Sequence, residues 1–263
     1  MKITGATNKE KLTYLLLLCL QYGTPKGENY SLDDLRKKSK FQGMYDYKIM
    51  RTCIDLIQDT EYAIIDFAEY QLSRTRARVS QGEIYLRLYG ILNAIYLQRQ
   101  AILQVAELVK YPGKKNLQKE LDSHRILEIR NIAGSHTVNF ITDKSQSFKS
   151  KEGNLNHFRL TQCELKEDAS NLTIVDCFGK YEQINLKELV YDYNSLSERL
   201  LTEIIEKYLK TLCKNDPYTL SRFLETITDV RSSPTNYTKF EKFKDYLEKR
   251  IRKAKKLIKD LNL

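Results

Sequence analysis

"LYGILNAIYLQRQAILQVAELV", residues 88–109, decides the fold. Its apolar side chains Leu88, Ile91, Leu92, Ile95, Ile102, Val105, Leu108 and Val109 return every three or four residues, the period of a helix with one buried face. With Ile84 added upstream, the spacing predicts a helix over 82–111, closed by Pro112 and Gly113. A second pattern of similar length covers 43–72 through Tyr47, Met50, Ile54, Ile57, Ile64, Phe67 and Ala68. The stretch "SRTRARVSQG" between them reads as a basic, polar connector. Two long helices joined in this way predict a mainly helical fold.

Working outward, residues 8–22 predict a first helix, with Thr7 or Asn8 as its cap and Gly23 and Pro25 at its end. "KLTYLLLLCLQYG" (11–23) imitates a signal peptide, but its apolar run from Leu12 to Leu20 is nine residues, too short to span a bilayer. Leu18, just before Cys19, stands where a cleavage site requires a small side chain. A buried first helix and a cytoplasmic protein, with no membrane contact, are expected. "SLDDLRKKSK" (31–40) opens with a serine cap and acidic residues and ends basic, as a short helix does. Asn116 can cap a further helix through Leu117, Leu121, Ile126, Leu127, Ile129 and Ala133, with Gly134 where it would end or kink.

The character changes after Thr137. Residues 141–156 lack periodicity, and "HFRLTQCEL" (157–165) with "NLTIVDCFG" (171–179) predicts a β-hairpin. Helical spacing returns over 184–212 and over 216–227, where Asp216 caps and Pro217 takes the first helical position. A basic helix over 238–261 follows the break "SSPTN". The chain thus divides into a helical bundle (1–140), a loop and hairpin insertion (141–183) and C-terminal helices (184–263).

Composition bounds the function. In 263 residues, 41% are hydrophobic and 30% charged, as in a globular protein. The net charge of +10 favours an anionic partner, nucleic acid first of all. From Lys239 to the end there are ten Lys and Arg against four Asp and Glu. The five cysteines, Cys19, Cys53, Cys163, Cys177 and Cys213, form no CxxC pair and read as reduced thiols rather than a zinc site. No GxxxxGK[ST], GxGxxG or HExxH occurs, and no cofactor or metal is expected.

The chemistry gathers in "IRNIAGSH" (129–136). Breaking an RNA backbone without a metal needs a group that moves a proton and a cation that holds charge on the phosphoryl oxygens. His136, one of three histidines, suits the first task, and Arg130 the second through its planar fork. Asn131 can position either group. On an unbroken helix, residues six apart point about 120° from one another. Cooperation of Arg130 with His136 therefore requires a break at Gly134 and Ser135, or a second copy of the segment across a two-fold axis. The alternative is structural: Arg130 as a helix-end charge and His136 as a surface residue.

The order Arg130, Asn131, four residues, His136 resembles the signature of the HEPN superfamily (higher eukaryotes and prokaryotes nucleotide-binding). The stretch 88–109 resembles the helix before that signature in a group of bacterial HEPN-like proteins of unknown role. The resemblance covers roughly residues 43–140. Related sequences often place Pro or Gly after the histidine, where this chain has Thr137. The resemblance implies an antiparallel helical bundle and a homodimer through the motif-bearing helices, with a composite site of Arg and His. It also implies metal-independent cleavage of RNA to 2′,3′-cyclic phosphate and 5′-hydroxyl ends. Domains of this kind serve in toxin–antitoxin and antiphage systems, which implies an antitoxin or defence partner.

Tyr89, Asn93, Tyr96 and Gln100 recur at helical spacing and form one polar-tipped stripe, either a substrate-binding wall or a packing face. Asp66 and Glu69 can pair with the arginine or lie on a solvated face, and His124 and His157 read as structural or exposed. Two other functions remain open: a non-catalytic module binding RNA or protein, and a helix-turn-helix DNA-binding regulator over 8–57.

Overall fold

A computed structural model describes residues 7–22, 31–73, 80–135, 159–161, 165, 169, 171–175 and 179–232. These residues are mainly helical: α1 (Asn8–Tyr22), α2 (Leu32–Lys38), α3 (Asp46–Tyr70), α4 (Gln81–Leu108), α5 (Lys114–Asp122), α6 (Arg125–Ser135), α7 (Leu186–Leu212) and α8 (Pro217–Ser232). Three short strands, β1 (Arg159–Leu160), β2 (Leu172–Val175) and β3 (Tyr181–Ile184), lie between α6 and α7. The basic segment 238–261 lies outside the described residues.

Local chemistry sets the helix starts. Thr7 Oγ1 accepts from the Glu10 amide, and the Glu10 carboxylate accepts from the Thr7 amide, a reciprocal capping box on α1. Ser31 and Asp34 do the same for α2. Asp216 accepts from the Thr219 amide and hydroxyl at α8. Each such cap is worth about 1 kcal/mol.

The ends depart from expectation. α4 stops at Leu108, before Pro112 and Gly113, because Lys110 takes a left-handed backbone (φ 53°). The Tyr111 amide then donates to the Ala106 carbonyl, and the Lys110 amide to that of Glu107. Lys40 (φ 60°) ends α2 in the same way. The single helix expected after Asn116 is two. Ser123 and His124 interrupt it, and His124 Nδ1 accepts from the Ile126 amide at 3.3 Å, capping α6. Spacing alone hid the break, because the apolar period carries across it.

The expected hairpin is part of a three-stranded antiparallel sheet in the order β1-β2-β3, with Leu160 opposite Ile174 and Leu172 opposite Ile184. Every residue of β2 is buried, which explains its apolar run. The third strand, "YEQI", escaped the pattern because its first three residues are exposed. α7 correspondingly starts at Leu186 rather than at residue 184.

Two compact units interleave along the chain. One comprises Met1–Lys2, Tyr62–Leu97 and Glu120–Ser195; the other comprises Ile3–Glu61, Gln98–Lys119 and Leu196–Leu263. α3, α4, α5 and α7 contribute one end to each. In the first unit α6 packs on β1, and the Tyr193 hydroxyl donates to the Ile95 carbonyl at 3.1 Å. In the second, α1 packs on α8, with Leu12, Leu15, Leu16, Leu18, Cys19 and Leu20 of α1 buried. The apolar run that imitates a leader is thus core. Among the described residues no helix is long and apolar enough to cross a membrane.

Candidate functional site

α6 turns Ile126, Ile129, Ile132 and Ala133 inward and leaves Arg130 and Asn131 half-buried on its flank. The Arg130 guanidinium lies over the Tyr96 ring of α4, its central carbon 4.2 Å from the ring centroid. This is cation–π distance, and the contact restrains the position of the guanidinium. Arg130 Nη1 donates to Asn131 Oδ1 at 3.1 Å. Among the described residues that is the only hydrogen bond of a group with five N–H donors, and no carboxylate pairs with it. The cation is held in place with its charge uncompensated by any of them.

Arg130 and Tyr96 come from two different sequence expectations, the motif and the α4 stripe, and the structure joins them. Asn93 and Gln100 are exposed, while Tyr89 and Tyr96 are half-buried, so the stripe is a surface feature and not a buried packing face. The Tyr85 and Tyr89 rings lie 5.8 Å apart between centroids, and burial raises the Tyr89 pKa.

α6 remains helical through Gly134 to Ser135, so no break occurs at that glycine. His136 and Thr137 lie outside the described residues, as do His157, Cys163 and Cys177. Asp66 does not reach the arginine of the motif. It pairs with Arg87 at 2.9 Å, and Arg87 also donates to the Gln71 carbonyl. Glu69 is exposed. His124 is structural. Besides capping α6 it stands edge-on to Tyr193, ring centroids 5.7 Å apart, and burial lowers its pKa against the opposing attraction of Asp192.

Sequence reasoning missed a second polar cluster, in the other unit. Lys9 of α1 is 1% exposed and Glu61 of α3 is 2% exposed, with Lys9 Nζ 2.7 Å from Glu61 Oε2. The ammonium also donates to Gln98 Oε1 of α4 at 2.9 Å and to Ser197 Oγ of α7 at 3.2 Å. All three of its hydrogens are used. Gln98 Nε2 in turn donates to Thr60 Oγ1 at 3.3 Å. Burial pulls the Lys9 pKa down and Glu61 pulls it back up. The signal was present in the spacing: the apolar sets jump from Ile57 to Ile64 and from Ile95 to Ile102, and the skipped core positions are Glu61 and Gln98.

Cys19, Cys53 and Cys213 are buried free thiols, and burial pushes the Cys53 pKa up to about 11. Among the described residues no three of His, Cys, Asp and Glu gather as metal ligands.

The fold and site define a mainly helical protein that holds an arginine over a tyrosine ring beside an asparagine. Compared with known proteins, the chain matches no family model, no curated sequence and no solved structure.

Proposed function

We propose that this protein is a metal-independent endoribonuclease of HEPN type, acting as a homodimer in a toxin–antitoxin or antiphage system. Arg130 neutralises the phosphoryl oxygens in the transition state, and Asn131 orients Arg130 or the phosphate. His136 moves the proton, either from the 2′-hydroxyl or onto the leaving 5′-oxygen. The products carry 2′,3′-cyclic phosphate and 5′-hydroxyl ends.

The observation that carries this reading is Arg130 itself. A half-buried guanidinium without a carboxylate among the described residues has donors to offer, and its fork matches the oxygens of a phosphate. Tyr96 fixes the fork from one side, so little side-chain freedom is lost when an anion binds. On the same helix as Tyr96, the exposed Asn93 supplies an amide along a substrate path, one turn from Tyr89 at the start of the stripe. The continuity of α6 through Gly134 favours the arrangement in which Arg130 of one protomer works with His136 of its partner.

The experiment is cleavage of cellular RNA with EDTA present, followed by analysis of the product ends. Wild type should give cyclic phosphates, and His136→Ala should give none while it keeps its fold and its oligomeric mass. Undiminished cleavage by His136→Ala under those conditions would refute the mechanism.

A further inference from the structure

A second surface, in the unit built from Ile3–Glu61, Gln98–Lys119 and Leu196–Leu263, has the chemistry of a nucleic-acid contact. It is the turn from α2 into α3. From beneath, this turn is fixed at several points. Phe41 is buried and stacks on Tyr208, with ring centroids 5.9 Å apart and planes 3° apart. The Tyr208 hydroxyl donates to the Ser39 carbonyl at 3.1 Å. The Gln42 and Gly43 amides both donate to Asp46 Oδ2, at 3.1 and 2.7 Å. Arg36 Nη1 donates to the Gln42 carbonyl at 3.2 Å.

The outer side of the same turn is exposed. Met44 and Tyr45 show 52% and 59% of their surface, and Ile49, one turn into α3, shows 39%. The end of α2, the turn and the first two turns of α3 also carry four exposed cations, Lys38, Lys40, Lys48 and Arg51. Asp33 pairs with both Arg36 and Lys37, but none of these four is ion-paired with a described residue. The Lys48 ammonium is 5.9 Å from the Tyr45 ring centroid. Lys40 keeps a left-handed backbone that glycine would adopt without strain.

We infer that this surface binds single-stranded RNA, its phosphates on Lys38, Lys40, Lys48 and Arg51 and a base against Tyr45. Exposed cations not ion-paired with any described residue, one of them beside an exposed aromatic ring, are the combination that single strands use. The exposed face of α3 turns acidic at Asp55 and Asp59. A flat anionic membrane or a stiff duplex laid along that face would meet both carboxylates, whereas a flexible strand can follow the cationic arc alone. The choice of RNA rests on the ribonuclease reading; the surface does not use Arg130.

The test measures anisotropy of a fluorescent, mixed-sequence single-stranded RNA at several salt concentrations. Arg130→Ala protein is used, so that the probe stays intact. Adding Lys38→Gln, Lys40→Gln, Lys48→Gln and Arg51→Gln together should raise Kd at least tenfold at moderate salt. The slope of log K against log salt should shrink by about 2–3, since each lost phosphate contact removes about 0.7. A control with the same net charge, Lys187→Gln, Lys207→Gln, Lys210→Gln and Lys214→Gln, should change the slope by less than one contact's worth. Tyr45→Ala should weaken binding several-fold and leave the slope alone. Equal effects of the two quadruple sets would overturn the inference. So would tighter binding of the Arg130→Ala protein to duplex DNA or to phosphatidylserine vesicles than to the RNA. If wild type binds RNA through this surface yet never cleaves it, the ribonuclease reading falls and the surface stands.

Discussion

Two clusters in this protein are built from the same parts and finished differently. Each has a cation, a neighbouring amide and a hydroxyl-bearing side chain: Lys9 with Gln98 and Ser197, Arg130 with Asn131 and Tyr96. The lysine is sealed from water, faces Glu61 and spends every hydrogen on a partner. The arginine is half-buried and rests on a ring face, with one of its donors engaged by the described residues. A buried charge must be compensated, so the first arrangement closes on itself and joins α1, α3, α4 and α7. A charge kept at the surface and held by a π-face stays open to an anion. The difference separates a cation that holds a fold from a cation that can serve a ligand.

The contrast can be broken most forcefully at Glu61. Glu61→Leu strands the Lys9 charge in the core and should lower unfolding free energy by about 3–5 kcal/mol in urea titrations. Lys9→Met with Glu61→Leu should recover most of that loss, because an apolar pair of similar volume needs no partner. A cost below about 1 kcal/mol for the single change would show a node open to water, as exposed pairs are.

At the other cluster, Tyr96→Leu keeps apolar bulk and removes the ring beneath Arg130. RNA cleavage should fall by about twofold to thirtyfold, the range that a cation–π contact of about 0.5–2 kcal/mol spans. Stability should change far less than in Glu61→Leu.

His124 links the second cluster to pH. Its Nδ1 accepts a backbone N–H at the start of α6, so only the neutral ring can cap the helix that carries Arg130. Burial holds its pKa below the ordinary 6.5, so the neutral form contributes stability that is complete above that value. That contribution is lost as pH falls through the lower folded value. Wild type should therefore weaken below about pH 6.5 more steeply than His124→Asn, whose side-chain oxygen caps at every pH. His124→Ala at neutral pH should cost about 1 kcal/mol by thermal unfolding. The smallest expected effect is at Lys110, where Lys110→Gly relieves a left-handed backbone and should add about 0.5–1 kcal/mol.

The helices were legible because their signals are local. Apolar spacing and caps such as Ser31 and Asp216 act within a turn or two of the chain, and the starts of α2 and α8 follow them closely. Lys110 and His124 were not legible as helix terminators. A left-handed lysine and a histidine cap are uncommon solutions, and Pro112 with Gly113 offered a more usual one nearby. At the site, residue types pointed to Arg130 and to the Tyr96 stripe separately. No spacing rule could seat one on the other, because they lie on different helices. The Lys9 node was hidden for the same reason: each polar residue occupies a core position on its own helix, and only the packed helices reveal that the four satisfy one another.

The most direct measurement compares Arg130→Ala with wild type for RNA cleavage in EDTA, alongside urea unfolding of both proteins. An open phosphate-holding arginine should leave stability within about 1 kcal/mol, as for a partly exposed side chain. Cleavage should fall by about 10²–10³, the cost of removing one preorganised charge-stabilising group. Cleavage at the wild-type rate by folded Arg130→Ala would contradict the account.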